Sequence, residues 1–266
     1  MRFHFISGLP RSGSTLLASI LNQNPAFHAG ITSPMGPTVT AARGAMSPTQ
    51  ETHVMWNGNQ QAAVVRGIFD AYYKNVVPAF WEMDGTAVTF DTNRRWCADS
   101  ALLAHIFPAC RIICCVRDPR EIVVSFEKYF RKYPVAMGVI CRNNQSTTIF
   151  DRLPILMASD GVVGYAYKAF RDAWFGPEKS RLHVIEYEQL VDDPANELMY
   201  LHRELGLPDF DYDFDNIQPI PRAAEFDTSI GSPGLHNLRP RVQAETDDNH
   251  PLPPEVLDQI PAPFWR

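Results

Sequence analysis

The sequence predicts an α/β fold of three layers, with helices packed on both faces of a central parallel sheet. Three observations carry this reading. Short apolar segments alternate with segments of helical period along the chain, the pattern of strand–helix–strand units. One such segment, Arg111–Val116, is apolar at every position after the first, as a strand covered on both faces must be. A Gly/Pro/Ser turn at positions 8–15 joins the first strand directly to the first helix. The 266 residues are 45% hydrophobic and 20% charged, enough for a sizeable core, and read as one domain spanning 1–266 with a Pro-rich tail from about residue 219.

Each element has its own warrant. Phe3–Ser7 is a short strand, and Ser14–Asn22 a helix with Leu16, Leu17, Ile20 and Leu21 at helical spacing. Residues 25–50 are rich in Gly, Pro, Ser and Thr and are expected to form a loop facing the substrate. Gln60–Val77 is a helix with Val64, Ile68, Tyr72 and Val76 at four-residue steps. Ala87–Phe90 is a strand, and Arg95–Phe107 a helix stopped near Pro108. Arg111–Val116 is the central strand. Pro119–Phe130 is a helix with proline in its first turn, where a missing N–H costs nothing. Val162–Trp174 is a helix, Leu182–Glu186 a strand, and Ala195–Leu205 a helix closed by Gly206 and Pro208. The tail shows little periodicity.

Charge narrows the function. The net charge is −6, which excludes a general nucleic-acid binder. Residues 1–150 carry 14 basic against 9 acidic side chains, and residues 151–266 carry 10 against 21. A small anionic ligand therefore suits the first half. The five cysteines, an odd number without a CxxC pair, read as buried reduced thiols. No signal-type apolar segment opens the chain and no apolar run is long enough to span a membrane, so a cytoplasmic location is expected. No zinc or other metal pattern is present.

Ligands of such sheets bind at the carboxyl ends of the strands, which singles out the exits after Ser7, Phe90 and Val116. The first exit reads Gly8-Leu9-Pro10-Arg11-Ser12-Gly13-Ser14-Thr15. It has the spacing of a phosphate-binding loop, GxxxxGK[ST], with Ser14 in place of the lysine. The glycines let the backbone wrap an anion, and the first N–H groups of the following helix point at it. Ser12, Ser14 and Thr15 add hydroxyl donors and Arg11 a planar fork of N–H groups. In ATP- and GTP-dependent enzymes the lysine holds the terminal phosphates and acidic residues hold Mg²⁺. Here the lysine is missing, and Asp91 at the second exit is followed by Arg94 and Arg95. The third exit supplies Arg117, with Ser125 eight residues on, a pair able to grip one phosphate from two sides.

Two anion sites at neighbouring strand exits resemble the sulfotransferases that use 3'-phosphoadenosine 5'-phosphosulfate. Pro10–Leu16 is similar to that family's 5'-phosphosulfate loop, and Arg117 with Ser125 to its 3'-phosphate pair. Tyr187-Glu188-Gln189-Leu190-Val191 resembles its YExLV segment, with the tyrosine near the nucleotide. Leu238-Arg239-Pro240-Arg241-Val242 resembles the basic segment that closes over the nucleotide. Arg11, where cytosolic members have lysine, leans toward the tyrosylprotein branch. The resemblance covers about residues 3–242 and implies the phosphate-loop nucleotide-hydrolase-like architecture of sulfotransferases.

It further implies in-line transfer of a sulfuryl group to a hydroxyl or phenol acceptor on a peptide, small molecule or carbohydrate. Adenosine 3',5'-bisphosphate is released and no metal is needed. Pro10, Arg11, Ser12, Gly13, Ser14, Thr15, Arg117, Ser125, Tyr187 and Arg239 would bind the nucleotide. Arg11 and Arg94, or its neighbour Arg95, would stabilise the transferring group. The position of the tyrosylprotein branch's glutamate base falls at Thr32, and no acidic residue occurs between Arg11 and Glu51. The candidates for the base are Glu51 and His53, with His28 and Asp91 behind them. Trp96 reads as packing under the loop in preference to stacking on adenine. Phe69, Tyr72, Tyr73, Phe80 and Trp81 read as core, with acceptor lining as the alternative. Segments 25–50 and 133–148 flank the site and should shape acceptor choice. The alternatives are a nucleotide-dependent kinase-like enzyme and a non-catalytic binder of adenosine bisphosphate. A homodimer is compatible with the apolar segment 260–265, which could dock on its own body or on a partner.

Overall fold

The computed structural model describes residues 2–45, 58–72, 75, 87–141, 148–244 and 252–266. Chain order runs β1 (Arg2–Gly8), α1 (Ser14–Leu21), β2 (Phe27–Ala29), α2 (Met35–Ala45), α3 (Gly58–Ala71) and β3 (Val88–Thr92). A 3-10 helix, Arg94–Cys97, leads to α4 (Ser100–Ile106), β4 (Ile112–Val116), α5 (Pro119–Lys132), α6 (Pro134–Ile140), α7 (Ile149–Met157) and α8 (Gly164–Phe175). Then come β5 (Leu182–Glu186), α9 (Tyr187–Asp192), α10 (Pro194–Leu205), α11 (Ala223–Ser229) and α12 (Pro254–Leu257).

The five strands form one parallel sheet in the order β2-β3-β1-β4-β5. Side chains alternate across it with period two. Phe3 and Phe5 of β1, with Ile112, Cys114 and Val116 of β4, enter one core under α3, α4, α5 and α8. Ile6, Ile113 and Cys115 enter the other, under α1 and α10. Both faces are thus covered, which explains why β4 carries no polar residue. Burying one Phe or Leu in such a layer stabilises by roughly 1.5–3 kcal/mol.

The expected three-layer α/β fold with a central parallel sheet is what the chain adopts, with four corrections. Residues 25–50 are not one loop: β2 and α2 lie within them. β2 has three residues at the sheet edge and pairs only with β3. α2 tolerates Pro37 because it sits in the first turn, where no intrahelical N–H is needed. The helix expected over 95–107 is two shorter elements, a 3-10 helix Arg94–Cys97 capped by the Asn93 side chain and α4 from Ser100, meeting at Ala98–Asp99. β3 continues through Thr92, so Asp91 is a strand residue and not a strand exit. The tail holds two short helices, α11 and α12.

The apolar C-terminus docks on its own body. Trp265 is buried against Phe170, with ring centroids 5.6 Å apart, and Arg266 pairs with Glu186 through Nε at 2.8 Å. Arg152 on α7 grips Glu127 on α5 through Nε–Oε1 at 2.8 Å and Nη2–Oε2 at 2.5 Å, a buried two-pronged ion pair that fixes α7 against the core.

Candidate active site

The strand order reverses direction at β1: the chain leaves β1 for the β3/β2 side and later crosses to β4 and β5. A crevice opens where the crossovers diverge, at the carboxyl ends of the strands. A cavity of about 360 Å³ lies there. Its floor is the loop between β1 and α1.

That loop is held in an unusual backbone shape. Gly8, Arg11 and Gly13 all have positive φ, at 97°, 58° and 85°. At Gly8 a Cβ would lie 2.2 Å from the Cys115 carbonyl oxygen, so no other residue fits. The next residue ties the loop to β4 through Leu9 N–H to Cys115 O at 2.8 Å. Gly13 lets Tyr187 close on the loop, where a Cβ would meet its ring carbon at 3.0 Å. The left-handed conformation of Arg11, a non-glycine residue, is strain of the kind found at functional sites. The hydroxyls of Ser14 and Thr15 line the cavity at the first turn of α1. Neither makes a hydrogen bond to a described residue, so both are available to a ligand beside the free N–H groups of that turn.

The wall is built from the other strand exits. Arg117 follows β4, is 8% exposed, and stacks over the Tyr187 ring with its guanidinium carbon 4.5 Å from the centroid. Two carboxylates beside it, Glu121 and Glu188, have oxygens 3.7 and 3.9 Å from its nitrogens. Ser125 follows two turns along α5 and accepts from Arg11 Nε at 3.2 Å. Arg11 thereby joins the loop to the Arg117–Ser125 pair, and its Nη1 donates to Leu235 O at 2.6 Å.

Arg94 sits in the 3-10 helix after β3. Ser7 Oγ clamps that helix by donating to Arg94 O and accepting from Cys97 N–H, both at 3.2 Å. The accessible surface of Arg94 opens into the cavity and a smaller adjoining one. Dense protein around it draws its pKa down from the ordinary guanidinium value.

Pro10, Arg11, Gly13, Ser14, Thr15, Arg94, Arg117, Ser125, Tyr187 and Arg239 therefore line one cavity. Ser12 does not join them. It is fully buried and its hydroxyl donates to Pro10 O at 3.2 Å, bracing the loop from below. Arg95 is spent on Asp99 and Arg94 alone faces the cavity. Trp96 is buried in the core and donates its indole N–H to Asp91 Oδ1 at 2.7 Å, so it cannot stack on a nucleotide. Phe69 is likewise core. Glu51, His53, Tyr73, Phe80 and Trp81 lie outside the described residues.

The remaining candidates for a base are placed elsewhere. Asp91 accepts from both Trp96 and Ser33, the latter at 2.9 Å, and is buried. His28 lies on the edge strand, where burial pushes its pKa down to about 4. Thr32 is exposed, and neither it nor His28 lines the cavity.

Arg241, part of the basic stretch Leu238–Val242, lines the upper wall and pairs with Asp215. His236, which the sequence reading did not single out, lines it beside Leu235. The only signal for His236 was that adjacent basic stretch. Among the described residues, five arginines and no carboxylate line this cavity, in a chain whose net charge is −6. Such a wall selects a ligand with several negative charges.

A sulfotransferase family model matches residues 4–212. A curated relative, protein-tyrosine sulfotransferase 2 of Gallus gallus, is 24% identical over 206 residues, 76% of this chain and 50% of that protein. The chain thus spans about half the length of the curated relative it matches. The sulfotransferase domain from the curacin biosynthetic pathway superposes with a TM-score of 0.52 at 18% identity, covering 79% of this chain and 75% of that one. The sulfotransferase domain of the Synechococcus PCC 7002 olefin synthase gives 0.51 at 18% identity, covering 97% and 86%. The matched span holds the loop, Arg94, Arg117, Ser125 and Tyr187, and ends before the upper wall of the cavity. The chain belongs to the sulfotransferase family.

Proposed function

We propose that the chain transfers a sulfuryl group from 3'-phosphoadenosine 5'-phosphosulfate to a hydroxyl borne on an apolar body. The observation that carries this is the joining, in one arginine-lined cavity, of the β1–α1 loop with the Arg117–Ser125 pair through Arg11. Two separated anionic groups on one small ligand match that layout. A triphosphate with Mg²⁺ matches it poorly, since Asp91 is engaged by Trp96 and Ser33 and, among the described residues, no carboxylate lines the cavity.

The residues present fit the donor. The N–H groups opening α1, with Ser14 and Thr15, would hold the 5' end. Arg117 and Ser125 would hold the 3'-phosphate, with the Tyr187 ring fixing the plane of the Arg117 guanidinium. The donor supplies an activated sulfuryl group. Arg11 and Arg94 would face the charge that develops on the bridging and transferring oxygens, and such fixed donors stabilise a transition state more than a ground state. Removing one of them costs on the order of 10²–10³-fold in rate.

The acceptor side is the adjoining cavity of about 350 Å³, which shares Arg94, Val139, Ile140 and Val162 with the first. Ile155 and Tyr165 extend its apolar lining, and Arg94 and Asp160 add one charge of each sign. A phenol such as a tyrosine side chain, or an aliphatic alcohol, suits this lining better than a carbohydrate.

The test is thermal stabilisation by adenosine 3',5'-bisphosphate against ATP with Mg²⁺. The bisphosphate should raise the melting temperature and ATP should not, and the shift should vanish in Arg117→Ala. A shift with magnesium and ATP alone would replace this reading with a kinase-like one.

A further inference from the structure

The cavity's upper wall holds a carboxylate–imidazole pair that nothing in the matched family span accounts for. Asp227 on α11 is 1% exposed. It accepts the backbone N–H of His236 at 2.8 Å through Oδ2, and its Oδ1 takes the ring Nδ1 in a short hydrogen bond. A carboxylate is an acceptor, so Nδ1 carries the proton and the lone pair lies on Nε2. The ring lines the cavity and its Nδ1 edge is turned to Asp227, which leaves Nε2 on the cavity side.

The segment carrying His236 is pinned at several points. Ser232 N–H donates to Asp227 O at 2.8 Å, Tyr129 Oη to Pro233 O at 3.1 Å, and Arg11 Nη1 to Leu235 O at 2.6 Å. Gly234, with φ 72°, lets the turn pass Tyr133, whose Oη would meet a Cβ at 2.8 Å. A ring on such a turn needs no rearrangement to act. Burial in an apolar shell gives no reason for a buried Asp to be spent on a histidine whose far nitrogen faces an open cavity.

Resting on the sulfotransferase reading, we infer that His236, held by Asp227, is the general base that removes the proton of the acceptor hydroxyl. In the step, Nε2 takes the hydroxyl proton as the acceptor oxygen forms a bond to sulfur. The bond from sulfur to the bridging oxygen of the 5'-phosphate breaks, and its electron pair leaves on adenosine 3',5'-bisphosphate. His236 is left as an imidazolium beside Asp227 and returns the proton to solvent. Asp227 acts through His236 and is a positioning residue. Its role parallels that of a carboxylate orienting an imidazole in hydrolytic triads.

The charged groups facing His236 are Asp227 on α11, Arg11 on the loop and Arg94 after β3. Burial and the two guanidiniums outweigh Asp227 and lower the His236 pKa below 6.5. The ring is therefore neutral, and competent as a base, at neutral pH. His236 lines the larger cavity together with Arg94, which also lines the adjoining one.

The test uses the full chain, the donor and two probe acceptors, naphthol and para-nitrophenol, with bisphosphate binding measured by calorimetry. The acidic para-nitrophenol is largely ionised at mildly alkaline pH and needs little help from a base. His236→Gln should bind the bisphosphate within about threefold of wild type. It should lose about 10²–10⁴-fold in kcat/KM on naphthol, and much less on para-nitrophenol. The acid limb of the wild-type pH profile, lying at or below pH 6.5, should disappear. Asp227→Asn should fall in the same direction on naphthol, with Asp227→Glu partly restored. A His236→Gln enzyme with wild-type rate on naphthol overturns the assignment. So does an equal loss on both phenols with an unchanged acid limb, which marks a structural role. A wild-type chain that does not bind the bisphosphate overturns the donor reading instead. Binding without transfer to either phenol or to water counts against both.

Discussion

Replacing Arg117 with alanine should separate recognition of the 3'-phosphate from everything else in the site. Arg117 is 8% exposed, its guanidinium stacked on Tyr187 at 4.5 Å and offset from Glu121 and Glu188 by 3.7 and 3.9 Å. Losing one member of a buried charge-assisted pair costs about 2–4 kcal/mol of binding. At 1.36 kcal/mol per tenfold this is a ~30- to ~900-fold weaker Kd for adenosine 3',5'-bisphosphate. Adenosine 5'-monophosphate, which lacks the 3' group, should lose only a fewfold. Calorimetry with both nucleotides on both proteins forms the cycle. Equal losses for the two would refute the placement of Arg117 at the 3'-phosphate. A variant that binds the bisphosphate as wild type does would remove Arg117 from the site altogether.

Three further outcomes follow from the same structure. Gly8→Ala forces a Cβ to 2.2 Å from the Cys115 carbonyl at φ 97° and should cost about 3 kcal/mol or prevent folding, read by urea denaturation; a wild-type midpoint would contradict the loop geometry. His4 is buried and its Nδ1 accepts Arg111 N–H at 3.2 Å, and burial with Arg2 and Arg111 nearby lowers its pKa to about 4. The unfolded chain then binds more protons than the folded one below pH 6.5. Stability, complete above that value, should fall by about 3 kcal/mol as pH drops to about 4, and a flat profile of urea midpoints would speak against it. Arg152→Ala strands the buried Glu127 and should destabilise by about 3–5 kcal/mol while leaving bisphosphate affinity within about twofold, since the pair lies off the cavity.

The legible part of the site is the part built from contiguous residues. Gly8 through Thr15 could be read because backbone shape, helix start and hydroxyl donors all fall within eight positions. Arg117 and Ser125 could be read because a strand end and two helical turns fix their separation. β2 was hidden because an edge strand of three residues has no periodicity to show. α2 was hidden because Gly36 and Pro37 are turn residues everywhere except in the first turn of a helix. Asp91 looked available because it follows a hydrophobic strand, and only the fold brings Trp96 and Ser33 onto its carboxylate. The His236–Asp227 pair was hidden for a related reason. Nine residues and two glycine turns separate the partners, in a tail whose amphipathic signal is weak, and the pairing exists only once that tail folds over the loop.

The most direct test of the account is to follow the group that moves. The chain is incubated with donor radiolabelled in its sulfuryl group and with naphthol, without added metal, and label in the naphthyl product is counted against bisphosphate released. Label transfer should be matched one for one by bisphosphate, and Arg11→Ala should lose it by orders of magnitude while the fold persists. Retention of all label on the donor while the bisphosphate binds tightly, or transfer of a phosphoryl group from labelled ATP with Mg²⁺ in its place, would contradict it.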